Sequence, residues 1–199
     1  AHAEFVLGPA LVARVAAEAP GVELTLRHSD RRDAAALLDE AAIQLALGVL
    51  PEPPARMTRQ ILLRDGFAVL LRRDHPAAGG LDLEAYLAWP HLLVSAAARR
   101  TGAVDRALEA LGRTRRVAAV LSHLMAVGPL LAHSDLVCTL PARVARPIAE
   151  AFGLVVLPPP AALALDAVPL SQVWHGRHDR LPAHAWLRRI VAEAAQAAP

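Results

Sequence analysis

The chain has 199 residues, enough to bury a substantial core as one domain or as two lobes of about 100 residues each. Hydrophobic residues make up 55% of it, but no stretch reaches the roughly 18 to 20 consecutive apolar residues that a membrane span needs. All 21 basic residues are arginines and the formal net charge is +2. Because these arginines are scattered, they do not indicate a nucleic-acid-binding stripe. The single cysteine, Cys138, excludes an internal disulfide and a multi-cysteine zinc site.

The first third of the chain predicts alternating helices and strands. Its opening residues lack the basic start and the small-residue cleavage site of a signal peptide, so we expect a cytoplasmic protein. The predicted elements are a helix over Phe5 to Ala19, a half-exposed strand over Val22 to Arg27, a helix capped by Asp30 and running to about Ala41, a buried strand over Ile43 to Val49, and a strand that opens at Ile61 to Leu63. Gly48 marks the carboxyl end of a strand, where α/β sheets often present ligand contacts.

The segment Phe67 to Pro76 predicts a strand that leaves one lobe and enters another. Its continuous apolar run, Phe67 to Leu71, is typical of a buried strand, and Pro76 removes a ladder donor. A return path is predicted at Leu170 to His175, after the proline-rich passage from Pro158 to Pro169. Two such crossings between two lobes would leave a cleft between them.

The middle and the end of the chain continue the alternation. The predicted elements are a helix capped by Asp82 and ended by Pro90, strands over His91 to Ser95, Val117 to Leu121, Asp135 to Leu140 and Leu154 to Leu157, and helices over Ala103 to Leu111, around Leu124 to Leu131 with Ser122 as the cap, from Pro141 to about Phe152, and from Pro182 onwards. Strands alternating with helices throughout predict an α/β fold with largely parallel sheets.

Sequence motifs for nucleotide binding or hydrolysis are missing, so we predict no catalytic residue and no cofactor. The one dense ionisable cluster holds His175, His178, Asp179 and His184. A metal site needs ligands that converge, whereas this stretch runs from a strand into a turn. We therefore interpret it as a solvated turn with ordinary histidines and predict no metal site.

Polar residues recur at the predicted strand ends. Strands end at Gly48, Ser95 and Leu140, and His123 lies at the start of a helix. Free N–H groups and the positive end of the dipole at a helix amino terminus suit a small anion. Hydroxyls are added by Ser95, Thr101 and Thr139, and a charge by Arg99 or Arg100. Taken singly, each side chain could instead be a cap or face solvent.

Several stretches resemble the effector-binding domain of LysR-type transcriptional regulators, within the branch of aromatic-compound and nodulation regulators. The similar stretches are EAPGVELTL, LALGVLPEPP, RRDHP, LEAYLAWPHLLVS, VDRALEALGRTRRVA, SDLVCTLPARVA, FGLVVLPPP and VWHGRHDRLPAHAWLRR. They run from the first predicted helix to the last. The sequence departs from the family pattern at Gln44, where an acidic residue is usual, and at Leu181, where an aspartate is usual.

The resemblance implies two Rossmann-like lobes of the type 2 periplasmic-binding-protein kind. Lobe I would comprise residues 1–72 and 168–199, and lobe II residues 73–167. It also implies a ligand cleft between the lobes, dimers or tetramers, and promoter DNA bound only through an N-terminal winged helix-turn-helix domain absent from this chain. The cleft residues that it implies are His2, Gly48, Val49, Leu50, Ser95 and the loop after it, His123, Thr139, Leu140, Pro141, Trp174 and His175.

The predicted function is ligand sensing by a transcriptional regulator rather than catalysis. We expect a small aromatic carboxylate or phenol, held between apolar walls and a few polar groups. The walls would be Val49, Leu50, Leu124, Leu140 and Trp174, and His123 is the first choice for a specific contact. A solute-binding protein of a transport system and an enzyme on the same two-lobe scaffold are the alternatives.

Overall fold

The computed structural model describes residues 2–95 and 100–198. The helices are α1 (His2–Glu18), α2 (Ala34–Asp39), α3 (Leu83–Ala88), α4 (Ala103–Ala110), α5 (Val127–Ala132), α6 (Ala142–Phe152) and α7 (Pro182–Ala197). The strands are β1 (Ala46–Gly48), β2 (Met57–Asp65), β3 (Phe67–Leu71), β4 (His91–Val94), β5 (Val117–Leu121), β6 (Val137–Pro141), β7 (Val155–Leu157) and β8 (Val168–His175). Short 3₁₀ helices span Leu124–Ala126, Ala161–Leu163 and Gly176–His178.

The chain divides into two compact units. Unit 1 runs up to Asp65 and resumes at Val168, and unit 2 comprises Gly66 to Ala167. The first boundary lies before β3 and not near Arg72, because β3 pairs with β6 and β7 of the unit 2 sheet. The sequence predicted that the segment Phe67–Pro76 crosses between the lobes. The structure instead places the whole segment at the beginning of unit 2.

Unit 1 is built on a three-stranded sheet in the order β1-β8-β2. Both of its pairings are antiparallel, which corrects the expectation of largely parallel sheets. The late strand β8 lies between the two earlier strands and runs opposite to both. On this sheet Ala46, Met57 and Val173 pack with Leu38 of α2.

The outer helices of unit 1 are α1 and α7, which pack against each other. Apolar residues of α1 recur at the three- and four-residue spacing of one helix face, and Leu7, Leu11 and Val15 are buried. In α7, Ile190 and Val191 are fully buried. The predicted helices at these two places are confirmed, although α1 starts at His2, three residues earlier than expected.

Unit 2 is built on a five-stranded mixed sheet in the order β5-β4-β6-β3-β7. Strand β4 pairs in parallel with β5 and β6, while β3 pairs antiparallel with β6 and β7. Residues 68–71 of β3 are buried, and strands pair with both of its edges. Val69 of β3 belongs to a cluster of buried side chains that includes Tyr86 of α3 and Val104 and Leu108 of α4.

Two local predictions are wrong. The stretch Val22 to Arg27 is not a strand. A strand here would need a neighbouring strand for its backbone hydrogen bonds, and within the described residues no strand of the unit 1 sheet pairs with it. The apolar side chains of Val22 and Leu26 are 49% and 40% exposed. Asp30 does not cap α2, since its carboxylate accepts from the backbone N–H of Arg32 instead, and the N-cap position belongs to Asp33.

No helix within residues 2–95 and 100–198 combines the length and apolar character required to cross a membrane.

Candidate functional site

Strands β5, β4 and β6 of unit 2 run parallel, so their carboxyl ends lie at one edge of the sheet. Ser95 follows β4 and its backbone N–H donates to the carbonyl oxygen of Leu121, the last residue of β5, at 2.7 Å. His123 comes two residues after Leu121, and Thr139 to Pro141 form the end of β6. The structure thus brings Ser95, His123 and Thr139–Pro141 to the same edge. We call these residues the strand-end group.

His123 is an exposed member of the strand-end group. It is the N-cap residue of the 3₁₀ helix Leu124–Ala126, which continues into α5, but its side chain makes no capping hydrogen bond. Ser122 does not take the N-cap position that the sequence predicted for it. Within the described part of the chain the imidazole of His123 has no hydrogen-bond partner, so neither ring nitrogen has to give up a bond to contact a ligand.

Thr139 of the strand-end group belongs to a polar network in the interior of unit 2. Its hydroxyl lies 2.7 Å from the hydroxyl of Tyr86, a fully buried residue of α3. An Nη of Arg115 donates to the same Tyr86 oxygen at 3.4 Å. Burial raises the pKa of the Tyr86 phenol. The phenol therefore stays protonated.

Arg115 is itself held by Asp105 of α4. Its guanidinium donates to both carboxylate oxygens, at 2.8 Å and 2.9 Å, and its side chain is only 2% exposed. Burial by itself would raise the pKa of Asp105, but the hydrogen bonds from Arg115 and its charge outweigh burial and lower that pKa. The backbone N–H of Gly102 at the start of α4 also donates to Asp105, at 2.6 Å.

No motif in the sequence marks this network. Tyr86, Asp105, Arg115 and Thr139 are far apart along the chain and share no spacing that marks a site. The local pattern showed only that Tyr86 lies on a helix and that Thr139 lies near a strand end. Their contacts arise from the tertiary structure of unit 2, which brings α3, α4, the segment before β5 and the end of β6 together.

The loop after Ser95 was expected to add a charge and a hydroxyl to the ligand site, but the described residues of this loop place neither at the strand-end group. Arg99 lies outside the described residues. Thr101 and Arg100 are exposed. An Nη of Arg100 donates to the carbonyl of Val117 at 2.7 Å. Val117 is the first residue of β5, so this contact lies about 13 Å along the strand from its carboxyl end, and the structure does not bring Arg100 to the strand-end group.

Arg100 and Thr101 instead border a surface groove of unit 2. The groove has a volume of about 740 Å³. Other lining residues include Arg106, Glu109 and Arg113. Two of the residues predicted to contact a ligand therefore lie at a separate place on unit 2.

In unit 1, the predicted site residues at the start of the chain are engaged with their own unit. The Nε2 atom of His2 lies 2.9 Å from a carboxylate oxygen of Asp65, which is buried. Burial lowers the pKa of His2, although Asp65 acts in the opposite direction. The residues Gly48, Val49 and Leu50 at the end of β1 are half-buried. Leu50 lies close to Gly48, where an added Cβ would meet the Leu50 side chain at 3.6 Å.

Trp174 and His175 at the end of β8 are also committed within unit 1. The Trp174 indole N–H donates to Asp179 at 2.6 Å, the guanidinium of Arg188 lies 4.7 Å from its ring centroid, and the residue is 7% exposed. The Nδ1 atom of His175 accepts from the backbone N–H of Arg177 at 3.0 Å. These contacts engage the indole N–H and one ring face of Trp174 and the Nδ1 atom of His175, and a ligand role for both residues stays a prediction.

The histidine-rich segment of unit 1 holds a ring stack. His178 and His184 stack with ring centroids 4.9 Å apart. Burial and the neighbouring positive side chains lower the pKa of His178. In the ranges 2–95 and 100–198, no group of three or more histidine, cysteine and acidic side chains could hold a metal ion.

Comparison with known proteins shows which family the chain resembles. The sequence matches the family model described as "LysR substrate binding domain" over residues 2–196. It is 32% identical over 191 residues to the HTH-type transcriptional activator NagR of a Ralstonia species, covering 96% of this chain and 63% of that protein. It is 30% identical over 189 residues to the HTH-type transcriptional activator NahR of Pseudomonas putida, covering 94% of this chain and 62% of that protein. The chain therefore spans about three fifths of the length of these curated relatives.

Solved structures agree with these sequence matches. The regulatory domain of MexT, a transcriptional activator in Pseudomonas aeruginosa, is 36% identical with a TM-score of 0.86, covering 96% of this chain and 92% of that one. HinK, a LysR family transcriptional regulator from the same organism, is 20% identical with a TM-score of 0.77, covering 98% and 67% of the two chains, which supports the fold alone. The predicted α/β fold and the resemblance stated from the sequence are confirmed.

Proposed function

Because this chain belongs to the family of LysR substrate-binding domains, the effector-binding part of LysR-type transcriptional regulators, we propose that it binds a small aromatic carboxylate or phenol. The observation that carries the proposal is the strand-end group of unit 2. There, an exposed imidazole, a half-buried threonine and a serine lie at one sheet edge together with the half-buried Leu124 and the buried Leu140. Apolar surface with a few polar groups is the usual composition of a small-molecule site. The cleft that the resemblance implies stays a prediction.

His123 is the group of this edge that is free to contact an effector. A histidine can donate a hydrogen bond to a carboxylate or accept one from a phenol, depending on its protonation and tautomer. Its side chain makes no capping bond that a ligand would have to break. Hydrogen bonds to a charged group contribute about 1.5 to 3 kcal/mol, so removing the imidazole should weaken the binding of a carboxylate by about 10- to 100-fold.

The test is calorimetry with benzoate and salicylate on the parent chain and on His123→Ala. The matched control is His133→Ala, since His133 is also exposed and lies at the other end of α5. We expect the first variant to lose affinity and the second to bind as the parent does. Equal affinity in the parent and in His123→Ala would refute the assignment of His123.

We further propose that the complete protein binds promoter DNA through an N-terminal helix-turn-helix domain and acts in the cytoplasm as a homodimer or homotetramer. Support comes from the relatives, which are named HTH-type regulators and extend well beyond the matched region. Ligand binding would shift the assembly only as far as the ligand favours one of its states. Light scattering of the purified chain tests the oligomer, and a strictly monomeric mass at working concentration would contradict it.

The two alternatives receive no support from the relatives. NagR, NahR and the MexT regulatory domain all carry the names of transcriptional activators. Neither a transport protein nor an enzyme is therefore proposed.

A further inference from the structure

The hydroxyl groups of Tyr86 and Thr139 form a hydrogen bond whose direction can be worked out from its surroundings. The two oxygens are 2.7 Å apart, and by distance alone either one could be the donor. Arg115 decides between them, because a guanidinium only donates hydrogen bonds and it donates to the Tyr86 oxygen.

The Tyr86 hydroxyl must then donate its hydrogen bond to the oxygen of Thr139. Among residues 2–95 and 100–198, Arg115 and Thr139 are the hydrogen-bonding neighbours of the Tyr86 hydroxyl, and of these two only Thr139 can accept. If Thr139 donated instead, the Tyr86 proton would be left buried without an acceptor, which is strongly unfavourable.

Thr139 is therefore left with its own proton to donate. Its oxygen receives the Tyr86 proton, and the described residues offer its hydroxyl no second hydrogen-bond partner. Thr139 is half-buried at the strand-end edge. A hydroxyl in this state presents a donor to whatever binds beside it.

We propose that Tyr86, held by Arg115, is a positioning residue that makes Thr139 a hydrogen-bond donor, so that the ligand group beside Thr139 must be an acceptor. This inference rests on the proposed function, since it assumes that the effector lies at the strand-end group. It deepens that proposal by selecting a carboxylate, carbonyl or phenol oxygen and rejecting an amine at this point of the ligand.

Neutron diffraction of deuterated crystals of this chain tests the hydrogen-bond direction without any ligand. We expect the deuterium of the Tyr86 hydroxyl on the line towards Thr139, and that of Thr139 directed away from Tyr86. A deuterium of Thr139 directed at the Tyr86 oxygen would overturn the inference.

Calorimetry tests the consequence for ligand choice. The probes are benzoate, acetophenone, which only accepts, and aniline, which is a neutral donor. We expect acetophenone to bind about three- to tenfold more tightly than aniline, with that ratio reduced in Tyr86→Phe and lost in Thr139→Val. Thr139→Ser restores the hydroxyl that Thr139→Val lacks and should restore the ratio. A purely structural effect of these substitutions would weaken both probes alike and leave the ratio unchanged.

The two proposals fail in different ways. Binding of benzoate with no preference for acetophenone over aniline refutes the role of Tyr86 and leaves the proposed function standing. Failure of all three probes to bind, with the deuterium of Tyr86 directed at Thr139, refutes the aromatic ligand class and leaves the donor state of Thr139 standing.

Discussion

His91 should make the stability of unit 2 depend on pH in the mildly acidic range. It is fully buried in β4, its Nε2 donates to the backbone carbonyl of Tyr86 at 3.0 Å, and its Nδ1 has no partner among the described residues. Burial, together with the positive charge of Arg115, lowers its pKa to about 4. The unfolded chain has the ordinary value of about 6.5.

The sign follows from proton binding. Between these two pKa values the unfolded chain binds the proton and the folded chain does not, so acid favours unfolding. The stability contributed by neutral His91 is present above about pH 6.5 and is lost as the pH falls towards about 4. With about 1.4 kcal/mol for each pH unit, the loss is about 2 kcal/mol between about pH 7 and about pH 5 and about 3 kcal/mol in total.

The assay is urea unfolding followed by circular dichroism at several pH values, on the parent chain and on His91→Gln. Glutamine can keep a donor near Tyr86 but does not titrate, and the other titrating groups are common to both proteins. The parent should lose about 2 kcal/mol more than the variant when the pH falls from about 7 to about 5. Parallel stability curves for the two proteins would show that His91 is not held neutral by burial.

Two further changes test the packing of unit 2. Asp105→Ala leaves the buried Arg115 guanidinium without its carboxylate, so we expect a loss of about 3 to 5 kcal/mol in the free energy of unfolding by urea; a loss below about 1 kcal/mol would contradict a dry, paired site. Gly128→Ala places a Cβ closer to the ring of Phe152 than real contacts allow, so the ring must move and thermal unfolding should indicate about 1 to 3 kcal/mol of destabilisation. Gly79→Ala, which meets nothing within 4 Å, is the control and should differ little from the parent.

Where the signal was local, the sequence predicted elements well. Strand β5 was predicted with the bounds it has in the structure, and β3 coincides with the apolar run Phe67 to Leu71 of a segment predicted to extend to Pro76, because a short run of apolar residues is itself the mark of a buried strand. Asp82 was predicted as a cap, and its carboxylate does accept from the backbone N–H of Ala85 at 2.8 Å. Capping depends on residues three apart, so it can be read from a few letters.

Predictions failed where a partner distant in the chain decides the outcome. The alternating stretch Val22 to Arg27 has the pattern of a strand, but a strand exists only when another backbone bonds to it. The apolar run of β3 correctly indicated a strand, but it carried no information about which unit the strand joins. Its pairing with β6 and β7 moved the boundary to Gly66.

For the candidate site, the sequence by itself determined which polar residues follow the strands of unit 2, and the resemblance determined the family. Tertiary structure decided which of them meet: parallel pairing of β4 with β5 and β6 gathers Ser95, His123 and Thr139, while Arg100 is bonded at the far end of β5. The direction of the hydrogen bond to Thr139 also belongs to the tertiary structure. It depends on a guanidinium that reaches Tyr86 from 29 residues further along the chain, and no local pattern encodes such a contact.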